Sequence, residues 1–94
     1  MPEFIVELYV PRADAIIAVA RSARSARVAA EELTREGRSV QYLRSIFVPE
    51  DETCFLLYEA TAADDVEEAA RRASLPFDHV ALAIAGRDGE EESP

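Results

Sequence analysis

VQYLRSIFVPEDETCFLLYEA, residues 40–60, contains two runs of apolar, β-branched and aromatic residues on either side of Pro49-Glu50-Asp51-Glu52. Such runs, separated by a proline and acidic residues, are typical of a β-hairpin, because neither proline nor clustered charge suits a central strand. The segment therefore predicts two antiparallel strands joined by a short polar turn, and the rest of the chain can be placed relative to them.

A strand and a helix are predicted before the hairpin. Apolar residues alternate with other residues across Glu3–Val10, which is the period of a strand with one buried face. Ala13–Glu36 has small and apolar residues at helical spacing and is followed by Gly37, a common residue just past a helix end. The helical stripe consists of Val19, Ala23, Ala26, Ala30 and Leu33.

A second helix and a last strand are predicted after the hairpin. Thr61 and Asp64 have the spacing of a capping box, Leu75-Pro76 ends the helix, and Asp78–Ala85 alternates as a strand. The order βαββαβ predicts an α+β, ferredoxin-like fold: a four-stranded antiparallel sheet with both helices on one face. Residues 1–86 form this single domain, and residues 87–94 form an acidic tail that we expect to be disordered. The sheet residues predicted for the core are Phe4, Val6, Leu8, Leu43, Phe47, Val80, Leu82 and Ile84.

Composition excludes several classes of partner. The net charge is −9, and all ten basic residues are arginine. Such a chain repels phosphate, so we expect it to bind neither nucleic acid nor anionic membrane surfaces. The sequence has no export signal and no apolar run of the roughly 20 residues that cross a bilayer, which favours a cytoplasmic protein.

The sheet face that the two helices leave uncovered, called the open face below, is predicted to be apolar. Pairing Ile46 with Phe55 brings the apolar set to this face, whereas a register one residue different would bring Cys54 there. The patch is larger than soluble monomers tolerate, so we predict a homodimer through the open sheet face. The apolar set is Ile5, Ile46, Val48, Phe55 and Leu57.

Polar residues assigned to the open face are the candidate ligand-binding residues. Glu7 is the sharpest case, because an unpaired buried carboxylate is costly. It either grips a ligand or transfers a proton, or it forms a structural ion pair with Arg44 or a hydrogen bond to a tyrosine. The candidates are Glu7, Tyr9, Tyr42, Arg44 and Glu59.

The residues predict no catalytic group and no cofactor. His79 is the only histidine and the one candidate metal ligand, and neither a Cys-x-x-Cys motif nor a pair of histidines is present. Cys54 is interpreted as a small core residue rather than a nucleophile. The arginines of the first helix are interpreted as a solvated face rather than an anion site. These arginines are Arg21, Arg24 and Arg35.

Several segments resemble the small bacterial nickel-binding-protein-like domain family, formerly a domain of unknown function, over residues 3–85. They are Tyr42–Phe55, Tyr58–Ala60, Ala69–Ala73 and Leu75-Pro76. The resemblance implies a ferredoxin-like fold and a dimer, and it implies nickel binding for at least one member. It assigns no role to the matching residues Arg44, Cys54 and Glu59.

Three functions remain open at this stage. The first is a homodimeric domain that binds a small molecule or an ion. The second, by analogy of fold alone, is a cofactor-free monooxygenase or isomerase of the dimeric α+β barrel type. The third is a structural or regulatory dimer without a ligand.

Overall fold

The protein, in a computed structural model that describes residues 1–84 and 86, has four strands and two helices. The sheet order is β2-β3-β1-β4 with antiparallel neighbours, so the element order βαββαβ and the ferredoxin-like α+β fold are confirmed. Position 85 of the predicted last strand and the predicted tail at 87–94 lie outside the described residues. The elements are β1 (Glu3–Tyr9), α1 (Ala15–Arg35), β2 (Val40–Val48), β3 (Thr53–Ala60), α2 (Ala63–Arg72) and β4 (Phe77–Ala83).

The β2–β3 hairpin has the predicted register at its turn. Ile46 pairs with Phe55, and Pro49–Asp51 forms a single 3₁₀ turn between the strands. Glu52 closes the turn in the left-handed region at φ 49°, and its carbonyl accepts a hydrogen bond of 2.9 Å from the Val10 amide. This contact ties the hairpin turn to the end of β1.

A β-bulge in β2 overturns two sequence predictions. Tyr42 pairs with Tyr58 and Arg44 with Leu57, so Leu43 is an extra residue on its strand. The bulge interrupts the alternation of faces, and Tyr42 is therefore buried beneath the helices rather than placed on the open face. Leu43 is only half-buried and is not part of the buried core, so its predicted core position is wrong.

The core lies between the sheet and the two helices. Val6, Leu56 and Tyr58 from the central strands are fully buried against Leu33 of α1 and Val66 of α2. The predicted stripe of α1 faces this core, since its residues 26, 30 and 33 are buried, and residues 66, 69 and 70 of α2 are buried against it as well.

The far end of β4 is not part of the core, although Leu82 and Ile84 were predicted there. Their side chains are 60% and 87% exposed. β4 is an edge strand, and the core reaches only its first half, at Phe77 and Val80. A side chain beyond that point has neighbours on one side only, so alternation in the sequence does not bury it.

The end of α1 agrees with the sequence prediction, whereas the start of α2 does not. Gly37 adopts φ 99° after α1, and the Arg38 amide donates to the Leu33 carbonyl at 3.0 Å, as expected for a glycine-closed helix. The predicted capping box is wrong, because α2 begins after Ala62 without a side-chain cap. The Thr61 hydroxyl instead lies 3.6 Å from the sulfur of Met1.

The Tyr58 hydroxyl is buried and has no hydrogen-bond partner among the described residues. Burial, together with the nearby Tyr42, raises the pKa of Tyr58, so the phenol stays neutral.

We expect Tyr58→Phe to raise the free energy of unfolding by about 1 kcal/mol, because an unsatisfied buried hydroxyl is removed. Urea denaturation measures this, with Tyr9→Phe as the control that changes little. A loss of about 1 kcal/mol in Tyr58→Phe would mean that the hydroxyl has a partner.

Candidate functional site

The open face carries the predicted apolar patch. Ile5 of β1 lies between Leu57 of β3 and Ala81 of β4, and Phe55 lies between Glu7 and Ile46. The central side chains of this patch are half-buried by their neighbours, while Ile46 on the edge strand is 50% exposed. The face therefore presents contiguous apolar surface on two central strands and one edge strand.

Glu7 and His79 are cross-strand neighbours on the same face. The register places them opposite each other on β1 and β4, and Glu7 Oε2 lies 3.7 Å from His79 Nε2. The two side chains are 32% and 56% exposed, so both can reach a ligand from solvent or from a surface laid over the sheet. Glu7 thus has a partner that the sequence analysis did not give it.

The other candidate ligand-binding residues are spread over the open face rather than gathered. Arg44 is two strands away from Glu7 and two residues along the sheet, so their Cα atoms lie roughly 12 Å apart, and no ion pair within 4.0 Å joins these two side chains. The suggested ion pair between Glu7 and Arg44 is therefore wrong. Glu59 lies at the opposite end from Tyr9, whose hydroxyl is 3.4 Å from a carboxylate oxygen of Glu52 near the hairpin turn. Tyr42, displaced by the bulge, is on the other face.

The donor set of the Glu7–His79 pair suits part of a transition-metal site. Nickel accepts imidazole nitrogen and carboxylate oxygen, and two donors on one ion at about 2.1 Å each lie at most about 4.2 Å apart. The separation of 3.7 Å falls within that limit. No group of three or more histidine, cysteine, aspartate or glutamate residues suited to a metal ion occurs in the described part of the chain. One copy therefore supplies two donors, which is half of a four-coordinate set.

Cys54 is not placed for chemistry. Its side chain is fully buried on the helix side of β3, and burial raises the pKa of the thiol. A thiol that stays protonated and has no access to solvent is a poor nucleophile. The interpretation of Cys54 as a core residue agrees with this position.

Two surface grooves lie along α1, away from the open face. The larger, of about 510 Å³, lies between α1 and β2. The smaller, of about 280 Å³, lies where α1 meets the end of α2. Glu7 lines neither of them. Sequence reasoning missed the larger groove, because its shape depends on how α1 crosses the edge strand and on the bulge that turns Tyr42 toward the helix.

The comparison with protein families shows which family the chain belongs to. The family model described as nickel responsive protein SCO4226-like matches residues 4–82. The chain belongs to this SCO4226-like family. The match covers all four strands nearly completely and both helices, and it confirms the resemblance seen in the hairpin and Leu-Pro segments. No curated protein and no solved structure matches this member of the SCO4226-like family. Within residues 1–84 and 86, its helices are too short or too polar to cross a membrane.

Proposed function

We propose that this member of the SCO4226-like family is a homodimeric nickel-binding protein, in which two copies meet through their open faces. The observation that carries the proposal is the Glu7–His79 pair, an imidazole and a carboxylate 3.7 Å apart on the face that carries the apolar patch. The nickel-responsive description of the family supports the choice of metal.

The second copy follows from the chemistry of both the patch and the ion. An apolar surface of this size on a sheet is stabilised when another apolar surface covers it. A two-fold axis that passes near Glu7 brings a second Glu7–His79 pair beside the first. The two pairs would then offer two nitrogen and two oxygen donors to one ion, a donor set that nickel accepts.

Surrounding residues orient the pair in this proposal. Glu7 is on a central strand and is held between two neighbouring strands, so its position is fixed by the sheet. His79 directly follows the register shift between β1 and β4, and the register places it opposite Glu7. The chain binds the ion and holds it in a low-dielectric interface. The other two functions, an enzyme and a dimer without a ligand, stay predictions.

Nickel titration of the full chain by calorimetry, after removal of metal with a chelator, tests the proposal. We expect one ion per two chains. His79→Ala should weaken nickel binding by about 100-fold or more, since the loss of a residue that only hydrogen-bonds to a metal ligand already lowers metal affinity by about 10–100-fold. Glu7→Gln should weaken binding strongly, whereas Glu3→Gln, on the same strand and face, should not. Nickel binding of unchanged affinity in His79→Ala would contradict the proposed site.

A further inference from the structure

The groove between α1 and β2 combines an apolar lining with two arginines. Ala30, Val40 and Tyr42 are buried residues that line it, and Arg27 and Arg35 line its α1 side with exposed side chains. The arginines are eight positions apart on the helix, about 12 Å along its axis, so both guanidinium groups can reach one bound molecule. The groove volume of about 510 Å³ is that of sites which hold small organic molecules.

Neither arginine is neutralised by a carboxylate within 4.0 Å in the described chain. Glu31, an acidic residue that lines the groove, lies one turn from each of them but outside ion-pair distance. The groove residues therefore carry a net positive charge, although the chain as a whole has a net charge of −9. The described arginines that do lie within 4.0 Å of a carboxylate are Arg12, Arg38, Arg71 and Arg72.

Arg27 is positioned before any ligand binds. Its guanidinium carbon lies 5.4 Å from the centre of the Tyr42 ring, a cation–π contact. The Tyr42 ring is itself held edge-to-face against the buried Tyr58, with centroids 5.8 Å apart. A guanidinium stacked on a fixed ring keeps its N–H donors free and loses little conformational entropy on binding.

We propose that this groove binds a small organic anion with an apolar body. The anionic group, a carboxylate, sulfonate or phosphate, accepts hydrogen bonds from Arg27 and Arg35, and the apolar body lies on Ala30, Val40 and the Tyr42 ring. The site lies on the helix side of the sheet, so it is separate from the Glu7–His79 pair. It does not depend on the proposed nickel function.

The first test compares two fluorescent probes with the full chain. The probes are 8-anilinonaphthalene-1-sulfonate and N-phenyl-1-naphthylamine, which share an apolar body and differ in the sulfonate. We expect saturable binding of the sulfonate and binding of the neutral probe weaker by about tenfold or more. Amide chemical-shift changes should centre on Ala30, Val40 and Gln41. Equal binding of both probes, no binding of the sulfonate, or shift changes centred on the open face at Ile5 and Leu57 would overturn the proposal.

The second test removes the charges in matched pairs. We expect Arg27→Gln/Arg35→Gln to weaken sulfonate binding by about tenfold or more, because two charge-assisted hydrogen bonds are lost. Arg21→Gln/Arg24→Gln changes the net charge by the same amount on the same helix, at positions that do not line this groove, and it should bind like the wild type. Both variants should melt at the wild-type temperature. Equal loss of binding in the two variants would show an effect of overall charge and would overturn the site.

Discussion

Ile5→Asp is expected to convert the proposed dimer into a folded monomer. Ile5 lies in the middle of the open face, between Leu57 and Ala81. In the dimer its side chain faces the second copy, and a carboxylate there would be buried without a partner. Such a charge costs several kcal/mol, so we expect the dissociation constant to rise by at least about 100-fold. Sedimentation velocity over a range of concentrations measures this change.

A matched substitution separates the interface from general surface effects. Ile16 on α1 is 88% exposed and lies outside the open face, so Ile16→Asp should leave the association state unchanged. Ile46→Asp, at a half-exposed position of the edge strand, tests the same interface where a charge is better tolerated by the fold. Far-UV circular dichroism should show a folded chain in all three variants. A dimer that persists in both Ile5→Asp and Ile46→Asp would place the contact elsewhere.

Leu56→Ala is expected to lower the free energy of unfolding by about 2–5 kcal/mol. Leu56 is fully buried on the central strand β3 and belongs to the core between the sheet and the helices, so the smaller side chain leaves a cavity. Leu82→Ala makes the same chemical change at a position that is 60% exposed, and its effect should stay within about 0.5 kcal/mol. Urea denaturation at one fixed protein concentration measures both, because dimerisation links stability to concentration.

The comparison of the two leucines also tests the position of the core. The sequence places Leu82 in the predicted core, whereas the structure leaves Leu82 60% exposed and buries Leu56. Similar losses in the two variants would mean that the far end of β4 is covered, either by the rest of the chain or by a second copy. A small loss in Leu56→Ala would contradict the packing of β3 against the helices.

The fold could be predicted because each element has a strong periodic signal with clear ends. Two-residue alternation in β1, the apolar and aromatic runs of the hairpin strands, helical spacing in α1 and α2, and the Pro49 turn are all local features. The register that pairs Ile46 with Phe55 is preferred on the sequence because it would set Tyr42 beside Glu59; the register is present at Ile46, although the bulge pairs Tyr42 with Tyr58 instead. These signals are enough to specify the ferredoxin-like order, since few arrangements satisfy right-handed crossovers.

The site could be predicted only in part. It depends on a bulge that interrupts strand pairing and on contacts between residues that are distant in sequence. The bulge at Leu43 changes which face Tyr42 occupies, and nothing in the residues from Val40 to Arg44 marks it. The contact between Glu7 and His79 could have been found, since β1 and β4 pair antiparallel and His79 shares the parity of Ala81. The groove lined by Arg27 could not have been found from the sequence, because its shape depends on the path of α1 over the sheet.

The central claim is that the open face of this chain is covered by a second copy. Sedimentation equilibrium of the wild-type protein at about 1 μM tests it most directly, since a specific dimer commonly remains associated at that concentration. We expect a mass of twice the 10.4 kDa of one chain. A mass of 10.4 kDa across the accessible concentrations, with Ile5 and Leu57 exposed to solvent, would contradict it.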